Sequence, residues 1–211
     1  MTKTNRREQG FSLIELMMAL AIMLVLGGLA MYRSFGSTES NEANSAMDIV
    51  AGQLRVARQV AISQRRPVQV TIIPVSTDHG LPTIGYLTTT AGFTGAAAVN
   101  NGGVTPANTM PLPRQTNFIL EANVPDTPMN FGTCGAVCIG GVSNPNFAMY
   151  FSPTGQFSQD QSGAVPLNGT IFVGLPGQPG TARAVTIMGS TGRVRPYTYV
   201  FDSATTGHWT E

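Results

Sequence analysis

Glu15 is the residue whose position asks most of chemistry. It stands in "EQGFSLIEL" (residues 8–16), four residues past a Gly10–Phe11 junction and inside the longest apolar run of the chain. A carboxylate at mid-bilayer costs roughly 2.5–3.5 kcal/mol on insertion scales and less near an interface. An acid there marks a partner. Cleavage after Gly10 would give Phe11 a new α-amine, a positive charge at the same depth. Pairing of that amine with Glu15 of a neighbouring copy would set the stagger between packed helices. A solvated acid at the membrane surface would account for Glu15 alone, but not for its spacing from the junction behind a short basic leader.

Other reactive side chains are few. Cys134 and Cys138 lie in "FGTCGAVCIGG" with no histidine nearby, which disfavours zinc. They form either a small disulfide across a glycine-rich loop, if the domain lies outside the cytoplasm, or two unpaired thiols. His79 and His208 sit in unrelated loop and tail contexts, and no spacing suggests a Ser-His-Asp or Cys-His pairing. No lysine follows Lys3, so a Gly-Lys-Ser/Thr phosphate loop is excluded downstream. Neither an enzyme nor a cofactor or metal is expected. In "GSTGRVR", Arg193 and Arg195 are two apart and share one face of a strand, while Val194 faces the core. Arg183 is expected on the partner strand, near them.

The elements that must position these groups follow from patterning. The chain has 211 residues, enough for one sizeable core, with 42% hydrophobic and only 11% charged residues. Net charge is +1, and the first ten residues carry +2, leaving the remainder at −1. That excludes a broad basic coat for nucleic acid. "FSLIELMMALAIMLVLGGLAMY", residues 11–32, is long enough to cross a bilayer as a helix. The basic residues before it keep the N-terminus cytoplasmic and send the rest outward. A cleaved secretory signal would have a shorter apolar region ending in small residues. Ala43, Met47, Val50, Leu54, Ala57 and Ala61 then form one apolar stripe, and Pro67 ends the helix. Unbroken from Phe11 to Arg65, such a helix would measure about 80 Å.

Beyond it the chain reads as β. Short β-branched or aromatic runs occur at 68–73, 84–90, 118–124, 147–152, 169–175, 183–189 and 193–201. Segments 91–113 and 125–146 lack such runs and are expected as long surface loops. "GLPGQPG" (174–180) reads as a turn, and His208–Trp209 as part of a disordered tail. The fold class is α+β: a long N-terminal helix, apolar in its first half and amphipathic in its second, packed on an antiparallel sheet.

"RREQGFSLIELMMALAIMLVL" resembles the class III leader of type IV pilins and type II secretion pseudopilins. The resemblance implies the pilin fold, with leader 1–10, apolar helix 11–36, amphipathic helix 37–67 and β-rich head 68–211. It implies that a prepilin peptidase cuts after Gly10 and N-methylates Phe11, and that Glu15 is the assembly glutamate. A helix-bending proline that many members carry near the end of the apolar run is missing here; Gly27, Gly28 and Gly36 are the obvious soft points. Segment 50–72 and the ending "GTARAVTIMGSTGRVRPYTY" resemble the GspH/FimT-type minor pilins and pseudopilins, whose closing hairpin carries Gly-Arg-x-Arg. Competence-associated members bind DNA through those arginines. The resemblance therefore makes Gly192, Arg193 and Arg195 candidates for DNA, with Arg183, Arg65 and Arg66 as extensions. Solvation, or pairing with a neighbouring subunit, is the alternative for them. The implied partners are other pilin or pseudopilin subunits, the peptidase, the bacterial inner membrane and DNA. The chain would be single-pass with a periplasmic head, then part of a pilus or pseudopilus. A single-span periplasmic enzyme or receptor that keeps its leader is the rival from another class.

Overall fold

The computed structural model describes residues 12–73, 80–88, 108–143, 148–160, 163–202 and 206–211; side chains at 29–37, 88 and 148 are outside the description. Gly10, Phe11, His79 and most of the expected loop 91–113 also lie outside it. Helix α1 runs Leu13–Gln64, and the chain divides into two compact units, the first ending at Thr38 and the second spanning Glu39–Glu211.

In the first unit the helix is apolar all round. Leu13, Met23 and Leu24 are 79%, 70% and 75% exposed, and every large apolar side chain from Leu13 to Leu26 faces outward. Such a helix belongs in apolar surroundings. Among the described residues no helix is long and apolar enough to cross a membrane. The side chains described in the expected span 11–36 stop at Gly28.

In the second unit the helix buries most of the expected stripe: Ala43, Val50, Leu54, Ala57 and Ala61 are closed to solvent, Met47 is half-buried against the core, and Ala46 is buried beside them. It stops at a left-handed Arg65 (φ 51°), with the Arg65 amide donating to the Ile62 carbonyl and the Arg66 amide to the Ala61 carbonyl. That is the Schellman closure, with arginine where glycine is usual.

Among the described residues twelve strands follow. They are β1 (Val68–Ile73), β2 (Thr83–Thr88), β3 (Asn108–Pro111), β4 (Asn117–Phe118), β5 (Val137–Ile139), β6 (Val142–Ser143), β7 (Ala148–Phe151), β8 (Phe157–Ser158), β9 (Gly169–Gly174), β10 (Arg183–Met188), β11 (Arg193–Phe201) and β12 (Gly207–Thr210). They build two antiparallel sheets rather than the single one expected. One has the order β3-β2-β1-β7-β8; the other runs β12-β11-β10-β9-β5-β6, with β4 also paired to β9. The helix stripe shares one core with Val68, Val70 and Ile72 of β1, Phe151 and Phe157, Ile171 and Val173 of β9, and Val185 and Ile187 of β10. On the alternate residues of the second sheet, Phe172, Ala184 and Tyr197 pack under Leu120, Met129 and Trp209.

Four expectations are corrected. The described end of 91–113 forms β3, paired with β2. Segment 125–146 contains β5 and β6, and β5 is fully buried beside β9. Only Asn117–Phe118 of the aromatic run near 118–124 is strand. The expected disordered tail includes β12, paired with β11. Two- and three-residue strands carry too little alternation to read, and their pairing is set by distant neighbours.

Candidate functional site

Glu15 lies in the first turn of α1, where its amide donates to the Ser12 carbonyl at 3.0 Å, as does that of Leu16 at 3.2 Å. A carboxylate here complements the partial positive charge of the helix start. Its neighbours Ile14, Leu16, Met17 and Met18 are all more than half exposed. An acid surrounded by outward apolar side chains suits a helix that packs among other helices. The Phe11 amine lies outside the described residues.

The second site is the closing hairpin. β10 and β11 are joined by Gly189–Gly192, closed by the Gly192 amide donating to the Met188 carbonyl at 2.7 Å. Register places Met188 opposite Arg193, Thr186 opposite Arg195 and Ile187 opposite Val194. Arg193 and Arg195 therefore share a face, as expected, and Val194 is buried. Together with Met129, Phe131, Thr186 and Met188 they line a shallow cleft. The Arg193 side chain is exposed and has no partner among the described residues. Arg195 Nη1 meets Glu211 Oε2 at 3.3 Å.

Arg183 does not join them. It lies on the paired strand, opposite Thr198, five residues from Met188 and on the other face of the sheet. It is 2% exposed. Its Nε donates to Asn44 Oδ1 at 2.7 Å, Nη2 to Ser40 Oγ at 3.0 Å and Nη1 to the Ala182 carbonyl at 2.9 Å. Burial pulls its pKa below the usual arginine value. The guanidinium is spent on the head's own helix and is closed to an external ligand.

Gly192 likewise has structural work. Its φ is +63°, and a Cβ there would run into the Gly155 carbonyl and lie 2.9 Å from Arg58 Nε. Arg58 Nε donates to that same carbonyl at 3.3 Å. Helix, β7–β8 turn and hairpin tip thus meet at one point. Arg65 and Arg66 are exposed beyond the helix end.

Cys134 and Cys138 are joined in a disulfide, with Cα atoms 5.4 Å apart. Cys138 belongs to buried β5, so the bridge ties the preceding loop to the sheet. Asp126 closes that loop, accepting the Thr127 amide at 2.7 Å and the Gly132 amide at 2.8 Å. Trp209, buttressed by Tyr199 at 5.1 Å between ring centroids, donates its Nε1–H to the Pro125 carbonyl at 3.0 Å. The Trp209 contact was not legible in sequence, since its acceptor lies 84 residues away; the Asp126 bonds are local, but no repeat marks them. His208 pairs with Asp202 at 2.9 Å. Among the described residues no three metal-binding side chains come together.

Residues 5–31 match the family model of the prokaryotic N-terminal methylation motif. The chain carries a prepilin-type N-terminus. The resemblance to the type IV pilin and pseudopilin superfamily is borne out at that motif. No curated protein matches the chain. Among solved structures it is similar to the type IV minor pilin FimU of Pseudomonas aeruginosa in two crystal forms. Identities are 16% and 13%, TM-scores 0.45 and 0.43, and the match covers 81% and 78% of this chain and 95% of FimU. The minor pseudopilin EpsH of the Vibrio cholerae type 2 secretion system matches at 15% identity and a TM-score of 0.41, over 74% of this chain and 95% of EpsH. The motif encloses Gly10, Phe11 and Glu15 and runs into the outward-facing apolar helix.

Proposed function

We propose that the chain is a membrane-inserted prepilin, cut after Gly10 by a prepilin peptidase, N-methylated on Phe11, and assembled as a minor subunit of a type IV pilus. One observation carries the reading: the methylation motif at residues 5–31 continues into a helix whose apolar side chains from Leu13 to Leu26 are all exposed, with a single acid in its first turn. Exposure of that much apolar surface is unfavourable in water at about 25 cal/mol per Å². The helix therefore resides in the membrane before assembly and among other subunits' helices afterwards. Glu15 is neutralised there by the Phe11 amine of a neighbour. The head faces the periplasm, which suits the Cys134–Cys138 disulfide.

A type II secretion pseudopilin would use the same leader and helix; loss of pili rather than of protein export, on deletion of the chain, distinguishes the two. A DNA contact through the closing hairpin has two guanidinium groups to draw on, Arg193 and the Glu211-paired Arg195. Two phosphate contacts correspond to weak, salt-sensitive binding without sequence readout.

Mass spectrometry of the native N-terminus tests the reading. A mature chain beginning at Phe11 with one added methyl group is expected. An intact leader on the chain recovered from its membrane would overturn it in favour of a single-span receptor or enzyme.

A further inference from the structure

The turns of the helix that open the second unit are held in an unusual way. From Glu39 to Ala46 the buried apolar side chains are Ala43 and Ala46; Met47 and Ile49 pack half-buried against the core, and Val50 is the first large one closed to solvent. A methyl group buries little apolar surface, so hydrophobic packing alone holds the turns before Met47 weakly. What faces it instead is the segment between β9 and β10. Gln178 Nε2 donates to Glu39 Oε1 at 3.2 Å. Arg183 Nη2 reaches Ser40 and its Nε reaches Asn44, one helical turn apart on the same face. The remaining Nη1 donates to the Ala182 carbonyl, and at 3.4 Å to that of Gly180.

Among the described residues no carboxylate forms an ion pair with this buried guanidinium: its acceptors are an amide oxygen, a hydroxyl and two backbone carbonyls. A buried cation with neutral partners is a poor source of stability, and an apolar replacement of similar size is often neutral. Its fork geometry, however, fixes three directions at once. The arrangement makes sense as a positioning device rather than a stability device.

We infer that Arg183 is a latch that fixes the opening turns of the head's helix, Glu39–Asp48, against the turn before β10, so that the head's grip on its helix begins at Ser40 rather than at Met47. Sheet and core form without it. The helix between Glu39 and Asp48 loses its fixed seat without it.

Hydrogen exchange of the full chain in detergent, read by mass spectrometry, tests the latch. In Arg183→Met, the amides of residues 43–48, whose acceptors are the carbonyls of 39–44, should exchange at least about tenfold faster. Those of β1 and β9 should be unchanged. Asn44→Asp, which offers the guanidinium a charged acceptor, should slow exchange in the same stretch. Equal acceleration in helix and strands of Arg183→Met would mark Arg183 as a general stabiliser and overturn the inference. So would unchanged exchange at 43–48 in the folded variant. If Arg183→Met does not fold, Asn44→Ala puts the same question by removing one acceptor. Faster exchange confined to 43–48 supports the latch, and any other pattern overturns it. None of these outcomes depends on whether the chain enters a fibre.

Discussion

Gly192 seats its Cα against the carbonyl of Gly155, so closely that a side chain at 192 would occupy the oxygen's place. The glycine of the Gly-Arg-x-Arg ending thus serves packing, and only the arginines after it face outward.

Substitution at the two adjacent positions should separate these roles. Gly192→Ala has to accommodate both the left-handed backbone and the overlap with Gly155, for a loss of at least about 2 kcal/mol in urea unfolding. Arg193→Ala, at an exposed side chain without a partner, should stay within about 0.5 kcal/mol of the parent. If both variants unfold at the parent's midpoint, the close packing described at Gly192 does not hold.

Glu15→Val should insert in the membrane and be processed normally, because it makes the helix more apolar near its start. Incorporation into fibres should fall at least about tenfold, the weight of a single charge-assisted pair worth more than about 1.4 kcal/mol. Quantifying the chain in sheared fibres against the membrane pool reads this directly. Wild-type incorporation would remove the proposed pairing with a neighbour's amine.

The Cys134–Cys138 bridge closes a short loop, and loop-closure entropy assigns it about 2 kcal/mol. Replacing both cysteines with serine should lower head stability by at least that amount, since Cys138 Sγ lies in a closed interior where a hydroxyl is costly. Unfolding of the parent with and without reductant should show the bridge's own share, about 2 kcal/mol. Coincident curves would mean that Asp126 and its two amide bonds hold the loop unaided.

Arg65 closes the helix in a conformation that costs an ordinary residue roughly 1–2 kcal/mol and glycine nothing. Arg65→Gly should therefore raise stability, by about 1 kcal/mol after the extra freedom of glycine in the unfolded chain is discounted. A thermal melt of the two proteins decides the sign.

Much of this architecture was legible from local pattern. The stripe from Ala43 to Ala61 is buried as read except at Met47, which is half-buried, and Ala46 and Ala51 fill in beside it. β1 falls at 68–73 as its β-branched run implies, and β10 and β11 pair as a hairpin. The short strands β5, β6 and β12 escaped notice because Gly-rich flanks and two- to four-residue lengths leave no periodicity. They are strands only because β9, β5 and β11 respectively offer them an edge.

The arginines show where the division lies. Sequence by itself determined the methylation motif around Gly10 and Phe11, the acid four residues beyond Phe11, the two helix halves and the shared face of Arg193 and Arg195. All of these depend on spacing along one element, where bond geometry fixes the repeat. Tertiary structure decided which arginine is free. Arg183 faces the helix and Arg193 faces solvent because strand register sets their opposite faces and the seating of the sheet on the helix sets their burial, the latter through contacts 139 and 143 positions apart. No local repeat carries that information.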